Sequence, residues 1–210
     1  LQLGADDAQA AGVVGAAVAD VLLLGDIVEV QPLAAAGNDA LGPEDGTVVA
    51  GIQRRHPFTE FPEQEWNDVI AVYQTAVFLV SQAVTRHMVE RKAGKVINIC
   101  LMQSELGRDT ILPYAASNGE VKMLTRGMCV ELARHNIQVN GIAPGYFKTE
   151  MTKALVEDEA FTAWLCKRTP AARWGDPQEL IGAAVFLSSK ASDFGNGHLL
   201  FVDGGMLVAV

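Results

Sequence analysis

Basic residues are missing from the first quarter of this 210-residue chain: positions 1–53 hold no Lys or Arg and eight acids, Asp6, Asp7, Asp20, Asp26, Glu29, Asp39, Glu44 and Asp45. The net charge is −9, so everything after residue 53 sums to only −1. Nucleic acid and anionic membrane surfaces are held by clustered cations, so neither is expected as a partner. Cysteine is scarce. Cys100, Cys129 and Cys166 are widely spaced, with no Cys-x-x-Cys pair, and read as reduced, mostly buried thiols of a cytoplasmic protein rather than as metal ligands or nucleophiles. No metal is expected. The start of the chain lacks the cationic segment of a secretory signal. Long apolar runs are absent too: the longest uncharged stretch, Val69 to Thr85, carries Gln74, Thr75, Ser81 and Gln82 and falls short of the ~20 residues a membrane span needs. A buried interface helix explains it better.

A glycine-rich phosphate turn is also not visible. Such a turn should follow a strand and open a helix whose N-terminal amides hold a pyrophosphate. Gly12 and Gly15 are the nearest approach, with the wrong spacing and no preceding strand, and they read as helix-packing glycines.

Half the residues are hydrophobic and a fifth are charged, the profile of an ordinary soluble protein with one sizeable core. We expect one domain over 1–210. Within residues 1–49 an Ala-rich helix is plausible over 6–19, a buried strand over 21–30 and a loop or short helix over 33–43, with a further strand over 47–52. Periodicity predicts a long helix over 62–92, with Val69, Val72, Ala76, Leu79, Val80, Ala83 and Val84 on its apolar face. Gly94 should break it, and 95–100 reads as a strand. A second helix runs on from Tyr114 with Val121, Leu124, Met128 and Leu132 as its stripe, ending near His135-Asn136. Residues 137–145 read as a strand entering a Pro-Gly turn. Asp176-Pro177-Gln178-Glu179 is a helix start, with a capping acid, Pro at the first position and Glu at the third. Gly197 to Val210 supplies a last strand and a tail. Strands alternating with helices predict an α/β fold, a doubly wound, Rossmann-like, mainly parallel sheet.

Tyr114-Ala115-Ala116-Ser117-Asn118, the turn Ile142-Ala143-Pro144-Gly145 and Phe201-Val202-Asp203-Gly204-Gly205, at their mutual intervals, resemble the short-chain dehydrogenase/reductase family, and within it most closely its gluconate 5-dehydrogenase branch. The resemblance runs from about Ala50 to the C-terminus. Only 47 residues precede Val48-Val49-Ala50-Gly51, which stands where the family has Asn-Asn-Ala-Gly. The N-terminal portion therefore reads as reduced, with 1–49 atypical and 50–210 family-like. The resemblance implies NAD or NADP as cofactor, held in part by Ala50, Gly51, Pro144, Gly145 and Thr149. It implies a small sugar acid or polyol as substrate, met by Arg54, Gln103 and Tyr146, with residues 151–168 as a mobile lid. It also implies a homodimer or homotetramer packed through the two long helices. Arginine suits a carboxylate because its planar fork binds both oxygens. His56, just before Pro57, reads as a loop residue rather than a base.

The resemblance implies Tyr114 as the proton-transferring residue. Three further family positions are changed: Tyr73 stands for Asn, Leu101 for Ser and Asn118 for Lys. A tyrosine ionises near pH 10. A lysine about 4 Å away would favour phenolate by on the order of 4 kcal/mol at an effective dielectric of ~20, whereas Asn118 brings no charge. Leu101 donates no hydrogen bond to a developing oxyanion, a contact whose loss costs ~10²–10³ in rate. Ser104 lies three residues too late to be its simple substitute. Two readings remain open: an oxidoreductase with impaired hydride transfer, or a non-catalytic relative serving as an oligomeric scaffold or binding protein.

Overall fold

The computed structural model describes residues 52–210. The elements expected within 1–49, the Gly12/Gly15 pair and the turn through Ala50 and Gly51 lie outside the described residues. Those described form a mixed α/β unit built on a three-stranded parallel sheet in the order β1-β2-β3. Strand β1 is Gly94–Ile99, β2 is Ile137–Pro144 and β3 is Leu199–Val202. Gly94 pairs with Ile137 and Ile99 with Ile142, while Gly141 pairs with Leu199 and Pro144 with Val202. Every residue of β2 is buried, as a parallel strand covered on both faces requires.

Helix α1 spans Glu63–Arg91. It contains one π turn, Ala71–Thr75, a local widening often found at functional sites. By length and composition α1 could cross a membrane, but it packs on β1 and on α2, Leu112–Leu132, and so forms a layer over the sheet. Met88 of α1 meets Ile137 and Val139 of β2, with Met128, Cys129 and Leu132 of α2 around them. Cys100, Val121, Ala143 and Leu199 make the adjoining cluster. Ile137, Val139 and Ala143 are spaced by two and four residues on β2 and so share one face, the one that meets these helices. The intervening Asn140 instead accepts from the His198 N–H at 3.0 Å and donates to the Gly195 carbonyl at 2.8 Å, fixing the approach to β3.

The ends of α1 and of β1 and the start of α2 differ from the sequence reading. Helix α1 ends at Arg91 because Lys92 adopts a left-handed φ of 54°, so Gly94 does not break it. Gly94 instead opens β1, where a Cβ would sit 2.4 Å from the Met88 sulfur. Cys100 falls just past β1, although its N–H still donates to the Ile142 carbonyl at 2.8 Å. Helix α2 starts at Leu112 rather than Tyr114, with Pro113 in its first turn, where a missing N–H is harmless. It gives way to a 3₁₀ turn, Ala133–His135, closed by Asn136 at φ 59°.

After β2 come two short helices, α3 Lys153–Glu157 and α4 Glu159–Arg168, in the segment expected to be a lid. Asp176 then caps a 3₁₀ turn, Pro177–Leu180, leading into α5, Ile181–Ser188. Its carboxylate accepts from the Gln178 N–H at 2.9 Å, while Glu179 accepts from the Asp176 N–H at 2.8 Å. This is the reciprocal capping box that the sequence announced.

Candidate active site

All three strands of a parallel sheet point the same way, and ligands bind such sheets beyond the carboxyl ends of the strands. At those ends lie Leu101 after β1, Gly145 after β2 and Asp203 after β3. Tyr114 stands in the first turn of α2, directly after the loop that leaves β1. Gly145 is needed where it is: its N–H donates to the Val202 carbonyl at 3.0 Å, and a Cβ would come within 2.8 Å of the Asp203 Cα. Asp203 turns back on its own tail, accepting from the N–H groups of Gly205 at 2.9 Å and Leu207 at 2.7 Å.

Tyr114 is only 8% exposed and belongs to an apolar cluster with Ile52, Val69, Val72 and Ile111, against which Tyr73 and Leu101 pack. The π turn carries Tyr73, whose ring meets that of Tyr114 edge-on, with centroids 5.0 Å apart and planes at 86°. Such pairs are favourable beyond the area they bury. Tyr73 and Leu101 thus help to surround the Tyr114 ring with hydrocarbon and aromatic surface. Burial pushes the Tyr114 hydroxyl well above the ordinary tyrosine range; its interaction with the Tyr73 hydroxyl works against this and Tyr146 adds to it. Burial, followed by Tyr114 itself, pushes Tyr73 up in the same way. Desolvation disfavours phenolate, so both rings are neutral at physiological pH.

Asn118 is buried directly below Tyr114, and its amide donates to the Tyr114 carbonyl at 2.8 Å. That bond engages the amide within its own helix, and Asn118 brings no charge toward the Tyr114 hydroxyl. Ser104 closes a 3₁₀ turn, Met102–Ser104, that also carries Gln103. The Ser104 hydroxyl is buried and has no hydrogen-bond partner among the described residues. Cys100 is fully buried, and that burial pushes its thiol up to about 12 despite the Lys122 charge, so it is no nucleophile at neutral pH.

The residues expected to meet a substrate fall into two groups. Arg54 lies with its Nε 3.8 Å from Glu65 Oε2, and Glu65 also holds His56 Nε2 at 3.0 Å. Tyr146, by contrast, sits in an aromatic wall with Phe161, Trp164 and Trp174, at centroid distances of 5.7, 6.4 and 5.8 Å. Its hydroxyl accepts from Arg108 Nη1 at 2.7 Å, and the same guanidinium lies 5.3 Å from the centre of the Phe161 ring. Trp174 is fixed in turn by donating to Thr162 Oγ1 at 3.1 Å. Arg108 and the three aromatics were not singled out in the sequence; an arginine in the loop just before the Tyr114 helix was the available signal. Thr149 caps the turn Glu150–Thr152, its N–H donating to Thr152 Oγ1 at 2.9 Å. Among the described residues no group of His, Cys, Asp and Glu could hold a metal ion.

A parallel sheet with helices packed on it, a tyrosine in the first turn of the helix that follows β1 and a Pro-Gly turn at the end of β2 fit the class of nucleotide-dependent oxidoreductases. The chain belongs to the short-chain dehydrogenase/reductase family: the family model described as enoyl-(acyl carrier protein) reductase matches residues 8–207. The chain is 93% identical over 171 residues to the 5-keto-D-gluconate 5-reductase of Escherichia coli K12, covering 81% of this chain and 67% of that protein. It is 57% identical over 171 residues to the gluconate 5-dehydrogenase of Gluconobacter oxydans, with the same two coverages. Among solved structures, a gluconate 5-dehydrogenase from Burkholderia cenocepacia J2315, in complex with NADP and tartrate, superposes with a TM-score of 0.75 at 60% identity, over 77% of this chain and 63% of that one. The chain thus spans about two thirds of the length of these relatives.

Proposed function

We propose that this chain is an NAD(P)-dependent oxidoreductase of the gluconate 5-dehydrogenase type, interconverting a sugar acid and its keto form, with proton transfer at Tyr114 slowed by its surroundings. The observation that carries the reading is the position of Tyr114: in the first turn of α2, directly after the loop that leaves β1, with Leu101 from that strand end packed against its cluster. The relatives that act on gluconate or its keto form support the substrate class, and the Burkholderia structure with NADP supports the cofactor class.

The described residues suit the nicotinamide end of such a cofactor. The Pro144-Gly145 backbone and Thr149 would flank it, at the carboxyl end of β2, where Gly145 lets the chain pass close against Asp203. The pyrophosphate end would fall to residues outside those described. When bound, the dinucleotide supplies or takes the hydride. Tyr114 gives its proton to the carbonyl oxygen in reduction and removes one from the alcohol in oxidation. A hydroxyl held neutral by burial suits the first task more than the second. Leu101 and Tyr73 pack against Tyr114 and limit water there, and Leu101 gives the substrate oxygen no donor.

Titration of the purified chain with NADPH and with NADH, followed by ligand fluorescence and calorimetry, tests the reading. Saturable micromolar binding of either is the expected result; no binding up to millimolar cofactor would overturn it.

A further inference from the structure

We propose that Arg108 is a positioning residue that acts as a latch: through the Phe161 ring and the Tyr146 hydroxyl it holds the N-terminal half of α4 beside the strand ends, and its release opens that side of the site. The proposal rests on the oxidoreductase reading only for what the site binds. The chain leaves the end of β2 at Gly145 and comes back at Gly175, whose N–H donates to the Tyr146 carbonyl at 2.9 Å while the Lys148 N–H donates to the Gly175 carbonyl at 3.0 Å. Residues 149–174 are therefore one excursion tied off at its base, at the end of the sheet where ligands bind. Helices α3 and α4 lie within it. They are parted at Asp158, extended at φ −78° and ψ 105°, whose carboxylate caps α4 by accepting from the Phe161 N–H at 3.0 Å.

The two halves of α4 are held differently. In the C-terminal half Leu165 is fully buried, and Arg168 Nη1 donates to the Met206 carbonyl at 2.9 Å. In the N-terminal half Glu159 and Ala160 are exposed. Thr162 bonds within the excursion, to Trp174 Nε1 and to the Val156 carbonyl. Phe161 makes the contact with the loop before α2, its ring centre 5.3 Å from the guanidinium carbon of Arg108. Arg108 is itself aimed by donating from Nη1 to the Tyr146 hydroxyl at 2.7 Å. No carboxylate among the described residues pairs with Arg108, so its charge faces a phenol and an aromatic ring. Such a contact biases a helix end and can still release: a cation over a ring shifts an equilibrium by about 2- to 30-fold, from exposed to desolvated settings.

Hydrogen exchange of the full chain without ligand, resolved by peptide mass, reads the latch independently of any substrate. Arg108→Gln and Phe161→Leu should each raise exchange over residues 158–164 by about 2- to 30-fold and leave α2 and β2 within about twofold. In the double variant the two effects should not add, since either loss breaks the same contact. Arg108→Lys keeps a cation without the planar fork and should keep part of the protection. Unchanged exchange over 158–164 in Arg108→Gln would overturn the proposal, as would additive effects, or an equal rise in α2 and β2, the mark of general loosening. Turnover of 5-keto-D-gluconate with NADPH then links the latch to the site. A smaller closed fraction weakens apparent binding in proportion, so Arg108→Gln should raise KM by up to the same factor with kcat within about twofold. A lower kcat at unchanged KM would overturn the positioning role. No turnover by the parent chain, with the exchange pattern as expected, would keep the latch and remove the oxidoreductase reading.

Discussion

The chemistry of this site turns on what surrounds one hydroxyl. Tyr114 keeps the family position, but Leu101 and Tyr73 pack against it and Asn118 bonds backward to its carbonyl. Leu101 brings no hydrogen-bonding group and Asn118 no charge, so the Tyr114 hydroxyl lies in a largely apolar cluster with the Tyr73 hydroxyl as its polar neighbour. The consequence for pH follows directly. Tyr73 and Tyr114 both have folded-state pKa values raised above the unfolded value near 10. Their neutral forms therefore favour the folded chain fully below about pH 10, and that contribution is lost as pH rises beyond it, where the unfolded chain sheds protons that the folded one retains. In an alkaline titration these two rings should ionise only together with loss of near-ultraviolet circular dichroism. Phenolate absorbance at 295 nm from both rings in a still-folded chain would contradict the sealed site. For the same reason alcohol oxidation should keep rising with pH through the neutral range to about 10, and Asn118→Lys should move that rise to lower pH.

Among elements, the joints are more telling than the bodies. The helices and strands were legible because their periodicity is strong: Val121 and Met128 in α2 and the Asp176–Glu179 capping box stand where the sequence put them. What was not legible were features set by contacts between elements. Gly94 looks like a helix breaker in one dimension and proves to be a strand opener lying against Met88. Arg108 looks like one more loop cation until Tyr146 and Phe161, far along the chain, close over it. The π turn that brings Tyr73 to Tyr114 has no sequence signature, because its trigger is packing. Two substitutions probe these joints. Asp176→Ala should lower stability by about 1 kcal/mol, the usual cost of losing a side-chain cap, read from the urea midpoint. Gly145→Ala should cost about 1–3 kcal/mol, since the Cβ meets the Asp203 backbone rather than a movable side-chain tip. A Gly145→Ala midpoint within experimental error of the parent would show that the β2–β3 junction is looser than described.

For the molecule as a whole, the long helices leave apolar surface uncovered. Phe78 on α1 is 46% exposed, and on α2 Met123 is 58% and Val130 75% exposed. Such exposed apolar side chains, among the described residues, are candidates for an association face. We propose that these faces pair copies of the chain as a homodimer or homotetramer. Light scattering on the eluted peak should give a multiple of 22.4 kDa, and Phe78→Glu with Val130→Lys should shift it to the monomer; a monomeric parent would refute the pairing. The fold and the family were readable from the Tyr114 segment, the Pro-Gly turn and the Val-Asp-Gly-Gly end, since each answers a local backbone need. The state of the site was readable only in part, because the cost of losing Ser and Lys depends on what fills the space they leave. The most direct test of the account is the turnover of 5-keto-D-gluconate with NADPH, measured for the chain and for its Tyr73→Asn, Leu101→Ser, Asn118→Lys variant. A gain of at least ~10²-fold in the variant, the scale of one restored oxyanion contact, is the predicted result. Equal rates for the two would contradict it.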